Sequence, residues 1–334
     1  MRRIFSALVL TIFSTCFLIF PNAHAVMAFE VAPQEVDRIV VVGLEAQVQL
    51  LQQPGAAKLK VSGIDDTNEE GNFALERKDR TLLIKMQEYS DKKEWNEALA
   101  RAPKKKLLEF SGASVPVEIQ LREGQVTAQR WNRELKVSLV RGKVVSTGGA
   151  AALTVQLQNG DVNVQDQSSK LSVDVYKGHV VVRNLRGDFD GSVFSGSLLV
   201  EKSKGVMQIN TTQASAKVLS SSGTLQFENV KGLLVAQQFS GRVDGQTLEG
   251  AVSLGILPET DVHVKSKTGK VTVNTSAGSG SLLNLVTGEG DIVVPGELKV
   301  NRSATEKSVK GRLRGSEQKG TIVVRSQEGN IVVK

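Results

Sequence analysis

Disulfide chemistry has no foothold in this chain. Its 334 residues contain one cysteine, Cys16, which lies in a leading apolar run. Aromatic residues are scarce too, with two tryptophans, two tyrosines and 11 phenylalanines. That scarcity weighs against a broad sugar-stacking platform. The charge is mildly basic, with 42 Lys and Arg against 35 Asp and Glu. Without a clustered basic, aromatic-rich surface, nucleic acid is not an expected partner. The repeated G-G-x-G-x-D motif of a calcium-binding β-roll is absent, and no metal site or cofactor is expected.

The first 25 residues read as a secretory signal peptide. Arg2 and Arg3 precede the apolar run from Ile4 to Phe20, and Ala23-His24-Ala25 has the small-x-small form of a cleavage site. The run of 17 residues before Pro21 is short for a membrane-spanning helix, so no transmembrane anchor is expected in the mature chain. Removing residues 1–25 takes away Arg2, Arg3 and no acid, so the mature net charge is 40 minus 35, or +5. The sequence therefore points to an exported protein, placed by this reading in the periplasm, with the cell surface or the medium as alternatives.

What the chain has in abundance is a repeat of nine residues. Stepping by nine from Gly124 to Gly250 places glycine at eleven of fifteen positions, although only 31 of the 334 residues are glycine. Two residues after each mark the side chain is always apolar, from Val126 and Leu135 through to Val243 and Val252. Four residues after the mark it is apolar in all but Ser146, Gly191 and Gly245. Apolar residues at alternate positions give a strand one face to bury. One such unit cannot bury that face alone, but stacked copies share a continuous core. The glycine phase is strongest at eighteen (124, 142, 160, 178, 196). The fold expected is an all-β, single-stranded, parallel and right-handed β-solenoid with two nine-residue units per coil.

Four segments follow from this pattern. The signal peptide occupies 1–25, and 26–110 is a less regular N-terminal β region. Within it the spacing predicts a short helix near 91–102, where Asp91 and Glu94 form a capping box and Trp95, Ala98, Leu99 and Ala102 share one side. Regular solenoid runs over 111–257. Irregular solenoid coils fill 258–334, with Gly-x-Val-x-Val units restarting at Gly269, Gly290, Gly320 and Gly329.

A first block of Ile39-Val40-Val41-Val42, Val48-Gln49-Leu50 and Leu59-Lys60-Val61-Ser62-Gly63 is followed by Leu82-Leu83-Ile84, by Val115-Pro116-Val117-Glu118-Ile119, and then by the repeat units. This order resembles the bacterial β-strand-repeat family of adhesin-like proteins, the head-GIN-type domains of unknown function. The resemblance covers roughly residues 35–334 and rests on architecture, not on a catalytic motif. It implies an exported single-stranded β-solenoid with no established chemistry. The insert at 88–106 departs from the simplest form of that pattern.

Three features bear on function. Asp161, His179 and Ser197 recur at intervals of eighteen, so they stand on adjacent coils in the order of a nucleophilic triad. A flat strand face gives them no pocket or oxyanion hole, and a solvated polar column is the better reading. Acids do not cluster in one column as a polysaccharide-cleaving β-helix would require, so no catalytic residue is assigned. One outward column instead carries aliphatic residues at Val145, Val181, Leu199 and Val235, with Leu233 beside the last. An aliphatic stripe marks a surface that something covers, either the chain's own N-terminal elements or a partner. The expected function is a non-enzymatic binding or adhesin-like envelope protein that presents a rigid face to a protein partner or a surface polysaccharide. The alternatives are a self-assembling structural subunit and a carbohydrate-active β-helix enzyme.

Overall fold

The structure is a computed structural model that describes residues 27–64, 73–86, 106–275, 280–296, 298–315 and 320–334. The expected signal peptide and the expected 91–102 helix lie outside the described residues. The N-terminal strands are β1 (Met27–Val31), β2 (Arg38–Gln52), β3 (Leu59–Ile64), β4 (Phe73–Lys78), β5 (Thr81–Met86) and β6 (Lys106–Gly112). The regular coils follow as β7 (Val117–Gln129), β8 (Leu135–Thr147), β9 (Leu153–Gln165), β10 (Leu171–Arg183), β11 (Phe189–Glu201), β12 (Lys204–Leu219), β13 (Ser222–Lys231) and β14 (Leu233–Thr247). The remainder comprises β15 (Ala251–Ile256), β16 (Asp261–Ser266), β17 (Val271–Asn274), β18 (Leu282–Thr287), β19 (Ile292–Val293), β20 (Asn301–Arg302), β21 (Lys307–Arg312), β22 (Thr321–Ser326) and β23 (Ile331–Val333). Among the described residues the one helical element is a 3-10 turn at Pro33–Glu35.

These strands build a parallel β-solenoid of about nine turns. Each regular coil of β7 to β11 is one bent strand of 13 residues followed by a short turn. The bend is visible in the pairing. Leu121 pairs with Leu139 and Glu123 with Arg141, so Arg122 and Val140 are passed over, and the next coils skip Gln158, Tyr176 and Phe194 in the same way. Two residues further on, Gly124, Gly142, Gly160, Gly178 and Gly196 form one vertical column. At Gly160 and Gly178 φ is +139° and +155°, and a side chain would overlap the carbonyl oxygen of the glycine on the preceding coil. The glycine mark is therefore a place of close backbone approach inside a continuous strand, where only a residue without Cβ fits.

Alternate residues fill the interior in vertical columns. One column runs Ile39, Val117, Leu135, Leu153, Leu171, Phe189, Met207, Leu225, Val243, Val262 and Ile322. All of these are buried. On the other side of the bend Val48, Val126, Val144, Val162, Val180 and Leu198 stack in the same register and are also buried. Large and small residues interlock along the core. The ring of Phe189 lies over Gly191, and the ring of Phe227 occupies the space a side chain at Gly245 would need. This explains two of the three places where the apolar pattern fails four residues past the mark.

The turns are fixed by two further columns. Arg130, Gly148, Asp166, Asn184, Lys202, Ser220 and Gln238 recur every eighteen residues, and all have φ between +48° and +71°. Each turn thus needs one left-handed residue, and only one of these seven is glycine. Toward the C-terminal half a buried column turns polar. Thr211 Oγ1 donates to Asn229 Oδ1 at 3.0 Å, Asn229 Nδ2 donates to the Gly232 carbonyl, and Thr247 and Ser266 donate to the carbonyls of Gly250 and Gly269. Buried turn carbonyls are satisfied by side chains three residues upstream.

Toward each end of the solenoid one coil is threaded between others. β2 pairs with β7 on one edge (Ile39 beside Val117, Val48 beside Val126). Its other edge holds β5 (Ile39 beside Leu82) and β6 (Val48 beside Leu108). At the opposite end β22 lies between β16 and β18, and β23 between β17 and β19. Parallel stacking therefore extends from residue 38 to residue 333, on both sides of the regular 111–257 tract. Beyond each threaded coil the ladder reverses direction. β4 runs antiparallel to β5, β3 to β6 and β1 to β3; β21 runs antiparallel to β18, and β20 to β21. The outer strands carry exposed Glu76, Arg77 and Lys78 at one end and Lys310 and Arg312 at the other. Reversed, charged edges stop further coils from adding.

Candidate binding face

The sheets present two outward faces, one on each side of the bend. The first holds the aliphatic stripe. Val145, Val181, Leu199 and Val235 are half-buried, and Leu233 is 41% exposed. Only Val181 and Leu199 are direct neighbours on adjacent coils. Asn163 separates Val145 from Val181, and Lys217 separates Leu199 from Val235. Strands β1 to β6 stack at the solenoid end and do not lie over this stripe. The same face carries the polar column. His179 lies opposite Asp161 on one side and Ser197 on the other. His179 Nδ1 and Ser197 Oγ are hydrogen-bonded at 2.8 Å, whereas no hydrogen bond joins His179 to Asp161. The structure brings the histidine and serine together without the carboxylate that would orient the ring.

The second face is polar and concave. Its inner column runs through Gln120, Ser138, Gln156 and Asp174 and continues through Asn210, Glu228, Gln246, Lys265 and Arg325. Hydrogen bonds run along the face between coils, from Ser138 to Gln156, from Gln208 to Gln226 at 3.1 Å and from Gln246 to Glu228 at 2.9 Å. Two cavities open on it. One of about 1060 Å³ is bordered by Gln120, Arg122, Gln156, Asp174, Tyr176 and Phe194. The other, of about 820 Å³, is bordered by Gln226, Glu228, Asp244, Gln246, His263, Lys265 and Arg325, among others.

Tyr176 and Phe194 belong to the column that the pairing skips, so they project from the bend. Their rings are stacked at 4.7 Å with an interplanar angle of 9°, and they are 58% and 37% exposed. Their spacing of eighteen was visible in the sequence, but the bulge that exposes the column was not. In the second cavity Asp244 is held by Arg242, and His263 Nδ1 lies 3.6 Å away. The Asp244 carboxylate, by hydrogen bond and by charge, raises the Arg242 pKa above its ordinary value. Elsewhere on the surface cations lie beside acids one coil away, with Arg141 2.9 Å from Glu123, Arg183 3.2 Å from Glu201 and Lys231 3.1 Å from Glu249. Among the described residues no three His, Cys, Asp or Glu side chains converge as a metal site requires. No helix among the described residues is long and apolar enough to cross a membrane.

The architecture defines the chain as a capped parallel β-solenoid. No family model matches it, and no curated protein matches its sequence. Solved structures to which it is similar include a candidate cell adhesion protein from Clostridium sporogenes, with 11% identity over 92% of this chain and 97% of that one and a TM-score of 0.20. A candidate adhesin from Parabacteroides merdae is 14% identical over 75% of this chain and 96% of that one, with a TM-score of 0.25. Another from Bacteroides fragilis is 14% identical over 92% and 97%, with a TM-score of 0.23. These values are too low to carry residue roles across.

Proposed function

We propose that this is an exported, non-enzymatic binding protein of the cell envelope, working in the periplasm and presenting a rigid solenoid face to a surface polymer or a protein partner. The observation that carries the reading is the concave polar face, with its two cavities aligned along one inner column. Every group on it is set by a strand at a repeat of ~4.8 Å, so its polar side chains are already ordered before a ligand arrives. A binder of this kind needs length and rigidity, not a catalytic pocket. The test is sedimentation of the mature protein with isolated envelope polymer. Retention by the polymer, lost when Gln208 and Gln226 are replaced by glutamate, supports the reading. A protein that stays in the supernatant with every envelope fraction overturns it.

Lateral self-association is a second reading, favoured by the neighbouring Val181 and Leu199 and by exposed Leu233. Light scattering over a concentration series separates the two. Mass that rises with concentration and returns to that of a folded monomer in the Val181→Lys/Leu199→Lys variant favours assembly. A wild type that stays monomeric leaves the polar face as the working surface.

A further inference from the structure

Lys265 and Arg325 lie directly opposite one another on adjacent coils of the polar face, and both are exposed. Neither has an acidic side chain within ion-pair distance among the described residues. Like charges placed opposite each other across a ladder are unfavourable, and a binding surface is one reason to keep them. Both border the cavity of about 820 Å³, together with His263 and the carboxamide of Gln246. Two strands beyond Val323 on the same face, Lys310 stands opposite Asn284 and is also exposed. The C-terminal end of the groove is thus a cationic patch, and beyond it the amides Gln246, Gln226, Gln208 and Asn210 share the face with two carboxylates, Glu228 and Asp244, that are held by Gln246 and Arg242.

From this we infer that the groove binds an acidic polysaccharide lying along the solenoid axis, with its carboxylates at Lys265 and Arg325 and its hydroxyls along these amides. The inference rests on the reading of the protein as a polymer binder and names the chemistry of the polymer. Carboxamides both donate and accept hydrogen bonds, which suits sugar hydroxyls. An ammonium and a guanidinium held one coil apart suit carboxylates carried on a repeating chain. Single-stranded nucleic acid fits less well, because it calls for aromatic faces on which bases stack. Among the described residues the exposed ring stack bordering this face, Tyr176 on Phe194, has two of its four ring faces already turned on each other. An anionic membrane fits less well too, because among the described residues the apolar side chains beside the two cations, Val286 and Val323, are half-buried in the sheet and do not project as membrane anchors would.

Isothermal titration decides the matter, using defined oligomers of galacturonate, alginate and hyaluronate in chelator-containing buffer. Dextran, dextran sulfate and phosphatidylglycerol vesicles serve as comparisons. The expected result is binding to at least one uronate oligomer, weakened at least about tenfold in Lys265→Gln/Arg325→Gln at an unchanged melting temperature. Lys143→Gln on the other face should leave it unaltered. Three results would overturn the inference: no uronate bound by the wild type, binding to dextran sulfate or vesicles in place of uronates, or uronate binding that ignores the double substitution. If the uronate panel fails while envelope polymer still retains the protein, this inference falls and the broader reading stands. If both fail, both fall.

Discussion

Ile322 lies directly beside Val262 in a parallel ladder, although the strand that follows β16 and β17 in the chain is β18. Leu283, from that strand, sits on the far side of Ile322. The C-terminal coil therefore fills a place between two earlier coils, with Ile322, Val324, Ile331 and Val333 all buried.

Deletion of residues 320–334 should for this reason do far more damage than the loss of an end strand. It leaves the edges of β16 and β17 facing those of β18 and β19 with nothing between them. The expected outcome is loss of the cooperative thermal transition seen by circular dichroism, with aggregation on gel filtration. Ile322→Ala alone should cost about 2–5 kcal/mol in denaturant unfolding. A truncated protein that melts cooperatively at the wild-type temperature would contradict the topology.

The glycine column inside the strands and the left-handed column in the turns predict opposite responses to substitution. At Gly178 a methyl group would strike the backbone of the coil before it, so Gly178→Ala should destabilise by several kcal/mol, well above the usual ~1 kcal/mol scale of single substitutions. At Lys202, where φ is +51°, glycine relieves a left-handed conformation that costs a side-chain residue about 1–2 kcal/mol. Lys202→Gly should therefore be neutral or mildly stabilising, against the normal trend for glycine in a folded chain. Urea unfolding of both variants checks the contrast.

The buried polar column makes Asn229 sensitive. It accepts from Thr211 and donates to the Gly232 carbonyl. Asn229→Ala strands both partners in the core and should cost about 1–3 kcal/mol. Asn229→Asp should be at least as harmful above pH 5, because the carboxylate cannot donate to that carbonyl. Hydrogen exchange at the 229–232 turn would register the loosening. Unchanged protection there would argue against the assigned bonds.

The C-terminal cap has an acid-labile contact. Lys307 Nζ lies 2.5 Å from Asp291, and this hydrogen bond, then the lysine charge, holds the Asp291 carboxyl below its ordinary value. A carboxyl whose pKa is lowered by folding stabilises the fold fully above the unfolded value of ~3.9, and that contribution is lost as pH falls through the folded value. The Asp291→Asn variant should lose a small amount of stability at pH 6 and show a shallower decline below pH 4. Melting temperatures from pH 6 to pH 2 test this. Parallel wild-type and variant curves would show that the contact adds nothing.

Much of the architecture could be read from the chain because a solenoid writes its core periodically. Val126, Val144 and Val162 are eighteen apart, and this spacing alone places them in one buried column. The exceptions at Gly191 and Gly245 needed coordinates, since only the rings of Phe189 and Phe227 explain them. The role of the marked glycine also needed coordinates. The glycine at Gly142 or Gly160 lies inside a bent strand, where it answers to the coil before it and not to a local turn. The concave face was harder to foresee. Lys265 and Arg325 come together only because the C-terminal coil is threaded between β16 and β18, and no local pattern encodes that choice. In the sequence the aliphatic stripe is a series of large apolar residues, yet Asn163 and Lys217 divide it once the coils are stacked.

Threading the last coil inside the stack also alters how the molecule responds to force. A chain whose final strand lies on an edge can be peeled, one ladder bond at a time, by tension on its end. Tension on Lys334 meets β23 held on both sides, by β17 and by β19. Two ladders must then shear together before the terminus yields. The solenoid is clamped at β23 against a pull applied through Lys334.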